Sequence, residues 1–201
     1  MKLWKRDSSA GLKPLNGAII TGNKVKLREK KLSDVRKDYQ WQADPELAEL
    51  DASPILDISF SIYLLDYSSM VHHKDNHRYP LAIETIDGKH IGNCTCYDID
   101  AKKSEAQLGI MIGNKDYWDK GYGADAINTL VDYIYKTSSL HRLYLKTLDW
   151  NKRAQKCFSK CGFTPCGNLK REGFNFVLME LTRENWEKRQ QISSLPTVGE
   201  S

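Results

Sequence analysis

Two glycines that stand one residue apart, Gly121 and Gly123, mark the most chemically suggestive stretch of the chain, "YWDKGYGADAINTLVDYIY". They lie between a strand-like segment and an amphipathic helix. The first N–H groups of a helix have no intrahelical partners and carry partial positive charge. Because glycine has no Cβ atom, a ligand can approach this backbone closely. The spacing fits two interpretations equally well: a binding site for an anion such as a pyrophosphate, or a simple tight turn.

The glycine turn matches neither common phosphate-binding motif. The pattern GxxxxGK[ST] is absent, and GxGxxG is incomplete because Asp125 and Ala126 follow where its last glycine is expected. The turn therefore indicates an anion without identifying a nucleotide.

The strand before the turn, "EAQLGIMIG", can place polar side chains at a cleft. Successive strand residues point to opposite faces. Leu108, Ile110 and Ile112 share a core face, whereas Glu105 and Gln107 lie on the opposite, more polar face. Glu105 is a candidate general base, and a solvated carboxylate at a strand end is the alternative interpretation.

Acidic residues form a second group of candidates, for binding a cationic acceptor. The segment "DPELAELD" can attract an amine or a basic peptide N-terminus, although charge runs are usually solvated faces. Within it we single out Glu49 and Asp51. Glu84 joins them because the apolar residues of its strand alternate around it.

Neither the histidines nor the cysteines predict a metal site. The histidines of "HHKDNH" lie in a polar loop without a carboxylate framework. Cys157 and Cys161 share a helical stripe with Ala154 and Phe158, and such a stripe is typical of a core face.

Hydrophobic periodicity identifies the elements that position these residues. Strands are predicted at 24–29, in a hairpin over 80–100 with an Asp-Gly turn, at 105–113, at 142–148, and in a second hairpin over 163–182. Helices are predicted from a cap at Ser33 to about 41, from Pro45, over 57–71, over 121–138 and over 151–161. Strands followed by strand–helix–strand–helix–strand indicate a mixed α/β sheet.

The chain of 201 residues has room for one domain with a full core. We expect an N-terminal extension over 1–21, the domain over 22–182, and a polar tail over 183–201 that ends in "SSLPTVGES", a segment expected to be disordered.

Composition excludes several classes of function. The net charge of +4 is too small and too dispersed for a nucleic-acid binder. The N-terminus has no apolar signal core, and no apolar run is long enough to span a bilayer. Five cysteines without a CxxC pair fit a reduced compartment, so we expect a cytoplasmic protein with no membrane or nucleic-acid partner.

The turn "YWDKGYGADAI", followed by "LHRLYLKTLDWNKRAQKCFSKCGF", resembles the GNAT superfamily of acetyl-CoA-dependent N-acetyltransferases. Within it, the chain is similar to the ribosomal-protein N-terminal acetyltransferase-like branch, with the polyamine acetyltransferases nearby. The likeness covers about 22–182 and is strongest over 105–163. It implies a GNAT-like α/β fold, with a central mixed sheet splayed into a V and helices on both faces.

The resemblance implies acetyl-CoA as acetyl donor, without a metal, and its pantetheine in the gap of the V. The turn would bind the pyrophosphate, and backbone N–H groups at a strand bulge near Met111 and Ile112 would meet the oxyanion. The cofactor-binding residues implied are Met111, Ile112, Asp119, Lys120, Gly121, Tyr122, Gly123, Ala124 and Asn151.

Three positions depart from the family pattern. Trp118 replaces the usual Gln or Arg before the first glycine, although this branch often has Trp there. Gln107 stands where relatives carry a Glu base, which makes Glu105 the substitute candidate. Phe158 replaces a Tyr that protonates the leaving thiolate, yet a thiol of pKa about 8.5 can leave without an acid.

The resulting functional prediction is acetyl transfer from acetyl-CoA to a primary amine. A peptide α-amino group is favoured because its pKa of about 8 demands less of a base. A small polyamine-like amine is the alternative acceptor, and a catalytically inactive CoA-binding module is the alternative class. The resemblance also allows a homodimer, since many proteins of this fold dimerise.

Overall fold

The computed structural model describes residues 12, 15–73 and 77–194. The strands are β1 (Ile20–Thr21), β2 (Val25–Glu29), β3 (Arg78–Thr85), β4 (His90–Asp100), β5 (Glu105–Ile112), β6 (Arg142–Leu148), β7 (Thr164–Arg171) and β8 (Phe174–Thr182). The helices are α1 (Val35–Gln42), α2 (Pro45–Leu50), α3 (Phe60–His72), α4 (Tyr122–Thr137), α5 (Lys152–Lys160) and α6 (Arg183–Ser194).

One eight-stranded sheet of order β1-β2-β3-β4-β5-β6-β8-β7 runs through the molecule. Neighbouring strands are antiparallel except β5 and β6, which are parallel. That parallel pair is joined only from Glu105↔Arg142 to Gln107↔Tyr144. Beyond Gln107 the two strands separate, so the sheet opens into a V, as predicted.

Helices cover both faces of the sheet. The stripe of α4 that includes Ile127, Leu130 and Ile134 is fully buried against the main core, to which α5 contributes Phe158. On the opposite face, Val35 of α1 packs with Tyr63 and Tyr67 of α3 in a smaller cluster. The mixed α/β architecture with helices on two faces is therefore confirmed.

Two local predictions are wrong. Ser33 does not cap a helix, because it lies inside a 3-10 turn (Leu32–Asp34) that precedes α1. The β4–β5 register is continuous from Gly92↔Ile112 to Tyr97↔Gln107, so the expected bulge near Met111 and Ile112 is absent. The irregularity falls between Tyr97 and Asp100, where Asp98 has a positive φ.

The predicted polar tail begins as a folded helix. In α6, the Arg183 guanidinium donates to the carbonyls of Tyr135, Ser138 and Leu140 at 2.7–2.8 Å. The Trp186 indole donates to Asp132 at 2.7 Å. These bonds fasten α6 to the end of α4, so the tail is helical as far as Ser194, which includes the first two residues of the segment expected to be disordered; residues 195–201 lie outside the described part.

The N-terminal extension also contributes to the core where it is described. Leu12 and Leu15 are buried in the main cluster, and Tyr79 donates a hydrogen bond to the Leu12 carbonyl at 2.9 Å. Ile20 and Thr21 add a short strand beside β2. Residues 1–11 lie outside the described part of the chain.

Candidate functional site

A cleft of about 670 Å³ opens where β5 separates from β6. It is bounded by the end of β5, the glycine turn, the first turns of α5 and the end of α2. From the predicted set, the cleft is lined by Asp51, Met111, Ile112, Asp119, Gly121, Gly123, Ala124, Asn151 and Phe158. The structure thus brings together residues that lie up to about half the chain apart.

The glycine turn presents backbone amides to this cleft. Gly121 is the N-cap of α4 in the left-handed conformation, with φ of +83°, and no side chain caps the helix. Asp119, two residues earlier, also has a positive φ. The N–H groups of the first turn of α4 have no partner within the helix, as required for binding an anion. Gly121 is needed for its backbone conformation.

Gly123 has a different role from Gly121. A Cβ atom there would stand 3.7 Å from Ile112 Cγ1 and 3.8 Å from Cys157 Sγ, which are ordinary contacts. The helix therefore tolerates a small side chain at 123, but anything larger projects into the cleft.

The turn is held in place by Asp125 and Lys24, which lie about a hundred residues apart. The Asp125 carboxylate accepts the N–H groups of Asn23, Lys24 and Val25 at 2.8–3.2 Å. Lys24 Nζ donates to the Lys120 carbonyl at 2.9 Å. Asp125, which directly precedes the Ala126 that breaks the GxGxxG pattern, thus ties the β1–β2 connection to the start of α4.

The wall of the cleft formed by α5 is positively charged. Lys152, Lys156 and Lys160 recur every fourth residue and all line the cleft. Asn151 caps the helix by accepting the Ala154 N–H at 3.1 Å. This wall suits a phosphorylated ligand.

Trp118 bridges the glycine turn and α5. The Arg153 guanidinium lies 3.6 Å from the centroid of the Trp118 ring, a stacked cation–π contact. The residue that departs from the family pattern therefore joins two walls of the cleft.

The open edge of β5 supplies further backbone groups. Trp118 Nε1 donates to the Ile112 carbonyl at 2.6 Å, so the polar backbone of Ile112 faces away from β4. The Met111 carbonyl faces β4, since a Cβ on Gly92 would overlap it. Because backbone direction alternates along a strand, the N–H of Ile110 also faces the gap. Ile110 and Ile112, rather than Met111, thus offer N–H groups to a ligand.

Asp51 is the carboxylate that the structure places at the other end of the cleft. It caps the C-terminus of α2 and lines the cleft beside Leu47 and Leu50. Asp51 is exposed to solvent, yet the protein atoms around its carboxylate desolvate it in part, and this desolvation raises its pKa; the charge of Lys146 acts in the opposite direction.

Gln107 and Tyr97 form a polar pair on the face of the sheet that is opposite the main core. Gln107 Nε2 donates to Tyr97 Oη at 2.5 Å. Burial and the charges of Asp98 and Asp51 raise the pKa of Tyr97 to about 12, so its hydroxyl stays protonated at neutral pH. Gln107 itself is buried and does not line the cleft.

Three predicted carboxylates lie outside the cleft. Glu105 stands at the far end of β5 and pairs with Arg142 at 2.7 Å. Glu84 pairs with Arg28 at 2.6 Å. Glu49 lies on α2 and, unlike Asp51, does not line the cleft. The structure therefore does not bring these three side chains to the site.

Two further predicted residues turn away from the cleft. Lys120 Nζ donates to the Asp116 carbonyl at 2.7 Å. The Tyr122 ring packs edge-on against Tyr117, with a centroid distance of 4.9 Å. Their backbone, rather than their side chains, belongs to the turn.

Sequence reasoning missed Lys24, Arg153 and the lysines of α5. The four-residue spacing of Lys152, Lys156 and Lys160 was a readable signal of a charged helix face. No local signal pointed to Lys24, because its role depends on a contact with residue 120.

The described residues contain neither a metal-binding cluster of side chains nor a membrane-spanning helix. Within these ranges, no group of three His, Cys, Asp or Glu side chains is arranged to hold a metal ion. His72 and His73 each pair a ring nitrogen with a backbone carbonyl of α3. Of the helices in the described ranges, none is long and apolar enough to cross a bilayer.

Comparison with known families gives one match that covers most of the chain. The family described as the acetyltransferase (GNAT) domain matches residues 24–164. The match includes β2 through α5 and therefore every wall of the cleft.

Known proteins agree with this match. An uncharacterised N-acetyltransferase of Bacillus licheniformis is 24% identical over 149 residues, covering 73% of this chain and 83% of the relative. Spermidine N(1)-acetyltransferase of Escherichia coli is 24% identical over 164 residues, covering 77% and 80%. The crystal structure of spermidine N-acetyltransferase from Vibrio cholerae with CoA and spermine superposes with a TM-score of 0.72 at 21% identity, covering 81% and 98%.

Proposed function

The chain belongs to the GNAT acetyltransferase family and is an acetyl-CoA-dependent N-acetyltransferase, and we propose that its acceptor is a primary amine of a small cationic molecule of the polyamine class. The observation that carries this proposal is Asp51, a carboxylate at the opposite end of the cleft from the amide-lined turn. Two of the relatives above carry spermidine in their names, which supports a small amine.

The cofactor fits the turn and the α5 wall. Unpartnered amides at the start of α4 and the lysines of α5 would hold its phosphates. Asn151 and Phe158 line the path from there towards β5. When bound, acetyl-CoA supplies an activated acetyl thioester.

The acceptor amine must reach the thioester without its extra proton. An aliphatic amine has a pKa of about 10.4 and arrives as an ammonium ion. Asp51 attracts this cation, and a carboxylate of raised pKa is a better base than an exposed one. We therefore assign Asp51 both the orientation of the amine and the removal of its proton.

Backbone groups of β5 complete the chemistry. The N–H groups of Ile110 and Ile112 at the open strand edge would stabilise negative charge on the thioester oxygen. Phe158 has no proton to donate, and the thiolate leaves without an acid in this proposal. Binding and orientation account for the rest of the acceleration.

The favoured acceptor thus differs from the sequence-based preference. A peptide α-amino group and the ribosomal-protein N-terminal acetyltransferase-like branch stay predictions, because the two relatives with a substrate in their names are named for spermidine. Dimerisation and cytoplasmic location also stay predictions.

The proposal is tested by Asp51→Asn, with Glu49→Gln as the matched control. Both changes remove one carboxylate near the end of α2, but only Asp51 lines the cleft. We expect kcat/KM for spermidine to fall about a hundredfold or more in Asp51→Asn, since general-base catalysis contributes about 10²–10⁴-fold. Glu49→Gln should stay within about twofold of the wild type by the same principle.

The measurement is release of free CoA thiol with spermidine or with a short peptide as acceptor. A wild-type protein that acetylates the peptide and not spermidine would contradict the acceptor assignment. Equal losses in the two variants would contradict the role of Asp51.

A further inference from the structure

Two thiols of α5 meet at the wall of the cleft. Cys157 is half-buried and lines the cleft, and it shares a hydrogen bond with the buried thiol of Cys161, one turn away. Cys161 also contacts the Ala124 carbonyl, with Sγ to O of 3.5 Å. The thiol pair therefore sits against the helix start that forms the anion seat.

The environment of Cys157 favours its reactive form. The hydrogen bond from Cys161, together with the charge of Lys160, lowers the pKa of the Cys157 thiol. By contrast, burial raises the pKa of Cys94 and of Cys96 to about 12. Thiolate is the nucleophile in thiol chemistry, so Cys157 is better prepared for reaction than these two buried thiols.

The solvent access of Cys157 and the positive charge around it indicate which kind of reagent can reach it. The cleft opens Cys157 to solvent, and the lysines at 156 and 160 line the same wall. A positive wall attracts anionic small molecules. Glutathione disulfide is a disulfide of this charge class.

We propose that Cys157 is a modification site at which an anionic low-molecular-weight disulfide forms a mixed disulfide that excludes acetyl-CoA. The Cys157 thiolate attacks one sulfur of the reagent, a new S–S bond forms to Cys157, and the other half leaves as a thiolate. The exclusion part rests on the proposed cofactor seat, because Cys157 Sγ lies 3.8 Å from the Cβ position of Gly123 in that seat.

Cys161 acts here as a positioning residue. The single S–H of Cys161 donates to the Ala124 carbonyl in this structure and can turn to a Cys157 thiolate one helical turn away. Removal of Cys161 should therefore slow the reaction without removing the target. The reaction at Cys157 requires the Cys157 thiolate and so depends on Cys161. Cys166 is exposed and lies beside Arg142, so its reaction should not depend on Cys161.

The test treats the reduced full-length protein with glutathione disulfide and follows the adduct at each cysteine by peptide mass mapping. We expect Cys157 to react, and saturating acetyl-CoA to slow its reaction at least about tenfold, because a bound ligand blocks access. Cys166 should react at the same rate with and without acetyl-CoA. In Cys161→Ala, the rate at Cys157 should fall, because the thiolate loses a hydrogen-bond donor.

Cys166→Ser is the matched control and should leave the Cys157 rate unchanged. Equal Cys157 rates with and without acetyl-CoA, in a protein that binds acetyl-CoA by calorimetry, would overturn the exclusion. An adduct confined to Cys166 would overturn the site itself. Absence of calorimetric binding would instead overturn the proposed cofactor seat and the exclusion with it, while mapping would still decide whether Cys157 reacts.

Discussion

The two ends of the cleft are built by different means. At the turn end, the proposed anion seat consists of consecutive backbone groups from Asp119 to Ala124, and the left-handed conformation of Gly121 fixes their path. At the acceptor end, side chains converge from separate segments: Asp51 after α2, with Tyr97 and Gln107 behind it on β4 and β5. A site made of contiguous backbone is readable from a short stretch, whereas one made of converging side chains requires the tertiary structure.

The largest effect is expected from a substitution at position 123, which tests whether the glycine turn holds the cofactor phosphates. In Gly123→Asp, a carboxylate enters the anion seat, and we expect acetyl-CoA affinity to fall at least about a hundredfold, since like charges in contact cost several kcal/mol. Gly123→Ala should bind within about threefold of the wild type, because its Cβ finds ordinary contacts and alanine favours a helix.

Isothermal titration calorimetry with acetyl-CoA measures both variants, and thermal unfolding checks that both stay folded. Equal affinities in the aspartate and alanine variants would show that the turn does not hold the phosphates.

A smaller effect should follow from removing the lysine that supports the turn. Lys24→Met deletes the bond from Nζ to the Lys120 carbonyl and a positive charge beside Gly121. We expect acetyl-CoA affinity to fall about threefold to tenfold, as for one hydrogen bond of about 0.5–1.5 kcal/mol. Lys26→Met is the control, because Lys26 bonds to the Ile86 carbonyl, away from the turn. Similar calorimetric losses in both variants would mean that only net charge matters.

The smallest effect concerns stability at the acceptor end. The raised pKa of Asp51 means that the folded state holds its proton more tightly than the unfolded state does, so this group destabilises the fold as pH rises through that pKa. Asp51→Asn should therefore raise the melting temperature at pH 7 while it lowers activity. The gain should vanish below the unfolded pKa of about 3.9. Thermal unfolding across pH checks this; a lower melting temperature at pH 7 would contradict it.

Much of the fold follows from the sequence because its elements are locally encoded. Alternation specified β5, an apolar stripe specified α4, and an Asp-Gly turn specified the first hairpin. The helix α6 was missed because it has no apolar stripe. Arg183 and Trp186 instead attach it through hydrogen bonds to Tyr135 and Asp132 of the distant helix α4.

The candidate site divides in the same way. The turn at Gly121 was predicted in place, whereas Glu105 was assigned as a base from strand alternation alone. Alternation fixes the face of a side chain but not its position along the strand, and Glu105 falls at the end joined to Arg142. Likewise, Glu49 and Asp51 look alike in sequence, and only the end of α2 decides which one faces the cleft.

The three residue pairs that join β5 to β6 also have a mechanical meaning. They are the only strand pairing between the two halves of the sheet, β1–β5 and β6–β8, in the described residues. This is the shortest strand pairing beside the cleft. A ligand bound in the gap contacts both halves of the sheet and adds interactions between them. Separation of β5 from β6 should therefore require more force in the protein with its cofactor than in the protein alone.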